Sequence, residues 1–174
     1  STPLHRDNFI RLVKQGFYDS VLFHRVMSSF MIQSGDPASK RAKTGEKLGN
    51  GGPSYTIPAE FRSSLFHRRG VLAAARQVDQ VNPQKASSGS QFYIVQGKKF
   101  TPAGLDSVET YRLNGRKLPA EHRAVYQTIG GSPHLDQQYT IFGEVVSGLE
   151  VVDKIAGTKT NTDNRPLTDI RIIK

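Results

Sequence analysis

The sequence predicts one mainly β domain, a closed antiparallel barrel of short strands with a few helices laid outside it. Three observations carry that reading. The chain has 174 residues with 36% hydrophobic content, enough to bury one core. Its 16 Gly and 9 Pro follow no fixed period, so turns are frequent and the elements between them short. Short apolar runs with two-residue alternation recur along most of the length, which suits a barrel. There is no internal repeat and no low-complexity tract.

Thr2-Pro3 caps a first helix that Gly16 stops, with Phe9, Leu12 and Val13 as its apolar stripe at i, i+3, i+4. Phe23-His24-Arg25-Val26 and Phe30-Met31-Ile32-Gln33, joined by Met27-Ser28-Ser29 and closed by Gly35-Asp36-Pro37, read as a hairpin. Alternation puts Phe23 with Arg25, Met31 with Gln33, and His24 on the opposite face from Arg25. Residues 35–53 form a polar loop ending in Gly49-Asn50-Gly51-Gly52-Pro53, and Tyr55-Thr56-Ile57-Pro58 is a short edge piece. Gly70-Val71-Leu72-Ala73-Ala74-Ala75 is a strand of small residues, 76–90 a second long loop, and Gln91-Phe92-Tyr93-Ile94-Val95 a strand. Within 98–131, Thr101-Pro102 opens a helix that Asn114-Gly115 ends, and Pro119 opens another that Gly130-Gly131 ends. Their sparse apolar residues (Leu105, Val108, Leu113, Val125, Ile129) predict a helical pair lying outside the β domain. Residues 139–146 form a further strand. A helix from Leu149 to Ala156 follows, with Leu149, Val152 and Ile155 inward, and 167–173 is a closing strand.

Composition narrows the function classes. Lys and Arg number 24 against 15 Asp and Glu, a net charge of +9. The basic residues are scattered in short runs such as Arg68-Arg69 and Lys98-Lys99, and the aromatics sit in strands apart from them. A solvated basic surface with no specific nucleic-acid partner is the expectation. Without cysteine there is neither a disulfide nor a thiolate metal site, and the five histidines show no H-E-x-x-H spacing. No cofactor or metal is expected. No stretch approaches the ~20 apolar residues of a membrane span. The expectation is a soluble monomer of cytoplasm or periplasm, with residues preceding Ser1.

Several ordered motifs then point one way. Phe23-His24-Arg25-Val26, Phe30-Met31-Ile32-Gln33 with Gly35-Asp36-Pro37, Gly49-Asn50-Gly51-Gly52, Gly70-Val71-Leu72-Ala73, Ser88-Gly89-Ser90-Gln91-Phe92-Tyr93-Ile94 and Leu135-Asp136 leading to Phe142-Gly143 resemble the cyclophilin-type peptidyl-prolyl cis-trans isomerases. The resemblance implies an eight-stranded antiparallel barrel capped by two helices, spanning 1–174 as one domain, with 98–131 a helical insertion. In that family two strands precede the first helix, so the opening hairpin of the barrel is expected ahead of Ser1.

The resemblance also implies roles. Arg25 is the catalytic residue, and Phe30, Met31, Tyr93, Leu135 and Tyr139 build a proline socket. Gln33 bonds the peptide carbonyl, while Gln91 and the backbone at Ala75-Arg76 hold the substrate chain. Gly49 marks the pocket for residues preceding proline. Arg76, Tyr93, His134 and Tyr139 stand where the family commonly has asparagine, phenylalanine, tryptophan and histidine. The implied partners are proline-containing peptides and unfolded or folding proteins; the alternative is a proline-peptide-binding module without turnover. Because 98–131 joins the Tyr93 strand to the Leu135 segment, the expectation is that it borders the peptide groove and tunes entry; the alternative is a surface ornament.

Overall fold

The computed structural model describes residues 1–173. The elements in order are α1 (Pro3–Lys14), β1 (Arg25–Met27), β2 (Met31–Ser34), β3 (Thr56–Ile57), β4 (Val71–Ala74), β5 (Ser87–Ser88), β6 (Phe92–Val95), α2 (Pro102–Tyr111), α3 (Ala120–Thr128), β7 (Ile141–Glu144) and α4 (Leu149–Ala156). Two short 3-10 turns, Pro37–Arg41 and Pro133–Leu135, lie between them.

Five strands make one antiparallel sheet in the order β1-β2-β6-β4-β7, and β3 pairs with β5 as a separate ribbon. The register aligns Arg25 with Gln33, Gln33 with Tyr93, Tyr93 with Ala73, and Ala73 with Ile141. Residues paired across strands project to the same face, so one row runs from the guanidinium to the sheet's far edge. That face buries Met31, Val71, Ala73, Tyr93, Val95 and Leu135 in one cluster. The opposite face is covered by α4, whose Leu149, Val152, Ile155 and Ala156 pack on Val26 and Ile32. Beside it α1 packs Phe9 and Leu12 on Tyr18 and Phe92.

Several expectations need correction. The ladders of the described residues give the five-stranded antiparallel sheet and the two-stranded ribbon. The stretch 167–173 is not a full strand: it meets the chain at an isolated Leu22–Arg171 bridge, with backbone bonds from Ser20 to Ile172 and Phe23 to Ile170. Ile170 and Ile172 are half-buried, Ile172 against the Leu12, Tyr18 and Phe92 cluster, while Leu167 and Ile173 are exposed. The loops 35–53 and 76–90 hold the turn at 37–41 and strand β5. Phe23 does not share Arg25's face; it precedes β1 and packs with Val26 and Ile32. The α1 stripe is His5, Phe9 and Leu12, whereas Val13 is exposed. Thr2 donates its hydroxyl to Ile141 O at 3.0 Å, so its side chain makes no cap bond to the helix.

Helices α2 and α3 form where Thr101 and Pro119 open them. Thr101 Oγ1 accepts Gly104 N–H at 3.1 Å. The pair has its own small core, Leu105, Leu113, Leu118 and Tyr126, seated on Phe66 and Phe100. Its polar hub is Glu109, which accepts Lys117 Nζ at 2.9 Å, Leu118 N–H at 3.0 Å and Arg123 Nη1 at 2.7 Å. Burial alone would push this carboxyl up, but the three donors outweigh it and bring it to about 2. A depressed carboxyl stabilises the fold above its unfolded value, and that contribution is lost as pH falls from about 4.5 toward about 2. Glu109→Gln is expected to lower the thermal midpoint at pH 7 by ~5 °C and to flatten the acid limb of the midpoint-versus-pH curve. An unchanged acid limb would remove Glu109 from the account.

Candidate active site

Arg25 opens β1 and is half-buried, directly across from Gln33. Its Nη1 donates to Gln33 Oε1 at 3.4 Å and its Nη2 contacts Met27 Sδ at 3.3 Å. Among the described residues no carboxylate lies within ion-pair distance of it, unlike Arg68, Arg69, Arg76, Arg123 and Arg165. An arginine held by neutral groups alone keeps its charge uncompensated at close range.

Beside it is a hollow of about 100 Å³ lined by Arg25, Phe30, Met31, Gln33, Ala75, Arg76, Tyr93, Leu135 and Tyr139. That is roughly three water volumes at ~30 Å³ each, room for one small ring. Its walls are aromatic: Tyr93 and Tyr139 meet edge-on at 5.8 Å, and Phe30 lies 5.3 Å from the His134 ring. Burial, aided by the Arg112 charge, brings His134 down to about 4, so this wall is neutral at physiological pH. A larger hollow of about 470 Å³ adjoins the first and shares Gln33, Ala75 and Arg76 with it. It runs between the Gly49–Pro53 loop and the 76–82 loop, whose Val78 and Val81 stand exposed at the rim.

All eleven residues singled out in the sequence therefore lie along these two hollows, nine in the smaller and Gly49 and Gln91 in the larger. Their local environments differ from expectation in two places. Gln91 is buried and engaged: its Nε2 donates to Gly49 O and Gly51 O, both at 2.8 Å, and its Oε1 accepts Gln33 Nε2 at 3.1 Å. Ala75 has its N–H on Gln91 O and its carbonyl on Ser88 N–H, leaving the Arg76 main chain as the open segment there. The Arg76 side chain lies over the Tyr139 ring at 4.6 Å, donates to Gln138 O at 2.8 Å and pairs with Asp79 at 2.6 Å. It fastens the 76–90 loop to Tyr139 and Gln138.

Asp36 was missed as a site residue. Buried at the turn after β2, it accepts Gly49 N–H at 2.6 Å and Gly51 N–H at 3.2 Å. A continuous polar chain thus runs from Asp36 through the glycine loop, Gln91 and Gln33 to Arg25. The local signal was the Asp-Pro step, since Asp36 also caps the following turn through Ala38 N–H at 2.9 Å. The glycine loop it reaches lies farther along the chain, beyond local pattern. His24, behind Arg25, is packed as expected, but neither ring nitrogen finds a partner, and burial lowers its basicity.

One arrangement resembles a nucleophile without being accessible. Ser87 Oγ lies 2.8 Å from His5 Nε2, and His5 Nδ1 lies 2.7 Å from Glu60 Oε2. All three are buried and line neither hollow, so they tie α1 to the ribbon. No helix among the described residues is long and apolar enough to cross a membrane, and none of their acidic, histidine or cysteine side chains cluster to hold a metal.

A guanidinium unpaired among the described residues thus stands beside a ring-sized hollow, which a larger hollow continues along the open Arg76 main chain. Residues 1–174 match the cyclophilin type peptidyl-prolyl cis-trans isomerase/CLD family throughout, and the chain belongs to that family. Its activity class is accordingly that of a peptidyl-prolyl cis-trans isomerase. It is 37% identical over 170 residues to a provisionally named bifunctional phosphatase/peptidyl-prolyl cis-trans isomerase of Streptococcus pyogenes, covering 95% of this chain and 32% of that protein. It is 35% identical over 170 residues to a provisionally named peptidyl-prolyl cis-trans isomerase of Staphylococcus aureus strain COL, covering 98% of this chain and 78% of that one. The chain thus spans about a third of the streptococcal relative. A Cryptosporidium parvum cyclophilin, crystallised in the presence of the dipeptide Ala-Pro, shares the fold with a TM-score of 0.65 at 23% identity, over 98% of this chain and 82% of that one.

Proposed function

We propose that this protein accelerates rotation about Xaa–Pro bonds in peptides and folding proteins, with Arg25 as the electrostatic catalyst and the small hollow as the proline socket. The observation that carries this reading is a guanidinium without a carboxylate partner among the described residues, lining a ring-sized hollow together with Phe30, Met31, Tyr93, Leu135 and Tyr139.

Rotation about a peptide bond meets a barrier of ~18–20 kcal/mol because resonance must be broken. In the twisted transition state the prolyl nitrogen regains its lone pair and becomes a hydrogen-bond acceptor. A donor aimed at that nitrogen stabilises the twisted state and neither planar ground state, as catalysis requires. Lowering the barrier by ~5–7 kcal/mol corresponds to roughly 10⁴–10⁵-fold in rate. The proline ring fills the space among Phe30, Met31, Tyr93, Leu135 and Tyr139. Gln33 has one amide hydrogen not used by Gln91, available for the peptide carbonyl. Residues before proline run along the larger hollow past Gly49 and the Arg76 main chain, and Gln91 braces that groove from beneath. The chemistry uses no nucleophile and needs no metal.

A protease-coupled assay on a Xaa-Pro tetrapeptide tests the proposal. The cis fraction should be cleaved in proportion to added protein, far faster than its spontaneous isomerisation over tens of seconds. A rate independent of protein would leave a peptide-binding module in its place.

A further inference from the structure

No residue of 98–131 lines either hollow, so α2 and α3 do not border the groove as expected. They reach the socket by another route. Tyr93 carries a hydroxyl that a ring socket does not need, and that hydroxyl meets His67 Nε2 at 2.8 Å, the two rings nearly parallel at 6.0 Å. His67 is wholly buried, at 0% exposure. Its Nδ1 lies 3.0 Å from Asp136 Oδ1, which also accepts the His67 backbone N–H at 2.8 Å. An ionised carboxylate only accepts, so Nδ1 carries the hydrogen toward Asp136, and Nε2 makes the second ring bond with the Tyr93 hydroxyl. The third donor to Asp136 is the Tyr126 hydroxyl of α3, at 2.9 and 2.8 Å from the two oxygens. Arg116, between α2 and α3, donates to Asp136 O at 2.7 Å. Phe66, beside His67, is clamped by α3 as well: it stacks on His122 at 3.8 Å and meets Tyr126 edge-on at 5.5 Å.

The series Tyr126–Asp136–His67–Tyr93 thus links α3 to the socket through buried, mutually satisfied groups. Leu135, the residue before Asp136, is itself a socket wall. Buried polar chains of this kind fix geometry because each broken link strands a group without water.

We propose that the α2–α3 pair is a positioning element for the proline socket, with Tyr126 acting through Asp136 and His67 to hold the Tyr93 ring and Leu135 in place. The proposal rests on the isomerase reading. The socket grips the proline ring alike in the planar and twisted states, so loosening it weakens binding and leaves the chemical step alone. Tyr126 is a positioning residue in this scheme and Arg25 the catalytic one.

The test compares Tyr126→Phe, Tyr93→Phe and the double variant in steady-state kinetics and in NMR titration with the same Xaa-Pro peptide. Each single change should raise KM and Kd about 3–5-fold with kcat within about twofold, the loss expected of one buried hydrogen bond. The double variant should be no worse than the weaker single one, because either change cuts the same series. A partly unfolded variant would instead lower kcat through its active fraction. Unchanged KM and Kd in Tyr126→Phe, or losses that multiply in the double variant, would overturn the proposal. If the wild type binds peptide without turnover, the isomerase reading fails and Kd still decides the series. If it does not bind, the ¹⁵N resonances of the His67 ring decide: they should move in Tyr126→Phe, and their standing still would end the idea.

Discussion

Arg25→Ala is expected to lower kcat by about 10²–10³ while KM changes by no more than a few-fold, the loss that follows removal of one preorganised transition-state donor. Few contacts hold the side chain: a 3.4 Å bond to Gln33 and a contact to Met27, with no ion pair. Its removal therefore leaves no buried charge behind, and the hairpin keeps its ladder of backbone bonds. Peptide binding should persist, because the apolar walls and the Gln33 amide remain. Arg25→Lys retains a cation but loses the planar fork that Gln33 and Met27 orient, so it should recover only part of the rate. Wild-type kcat in Arg25→Ala would remove the electrostatic mechanism outright. A pure rise in KM would make Arg25 a binding residue.

Gly35→Ala should damage the framework around the site severely. Gly35 has φ +98, a left-handed conformation that side chains resist, and it ends the turn that hands β2 to Asp36. A Cβ there would sit 2.3 Å from Ser90 O and 2.7 Å from Gln91 Cα, both backbone atoms that cannot swing aside. Strain and overpacking act together, so a loss of about 3–5 kcal/mol is expected, a fall in thermal midpoint of roughly 6–20 °C for a chain of this size. The strand shift needed to relieve the clash moves Gln91, hence the glycine loop and Gln33. Activity of the folded fraction should fall too. A variant as stable as the wild type, measured by thermal unfolding at pH 7, would show that β2 and the Ser90 segment can part without cost.

The site was legible in the sequence to the extent that its parts are local. Met31 and Gln33 lie on one strand, with Phe30 in the turn before it and Arg25 across the hairpin, so alternation and turn chemistry bring them together without knowledge of the remaining fold. The register that aligns Gln33 with Tyr93 and Tyr93 with Ala73 is not local, and only the family motifs suggested it. Where periodicity alone was used, tertiary contacts overrode it. His5 entered the α1 face in place of Val13 because Glu60 and Ser87 satisfy its ring, and Phe23 left the Arg25 face because α4 offered it an apolar seat. Asp36 and the Tyr126–Asp136–His67–Tyr93 series carried least signal. Each joins segments distant in sequence, and a buried carboxylate is recognised by the donors that surround it. The helical pair was found by its caps, and its effect on the socket is visible only in side-chain contacts.

The most direct test of catalysis by Arg25 is exchange NMR on a ¹³C-labelled Xaa-Pro peptide at saturating concentration, with binding followed on the same sample through the signals of Met31, Tyr93 and Leu135. Electrostatic catalysis predicts bound-state cis–trans exchange about 10⁴–10⁵ times faster than in free peptide, dropping by about 10²–10³ in Arg25→Ala while the binding shifts persist. A peptide that fills the socket and perturbs those signals, yet isomerises at the free rate, would contradict it.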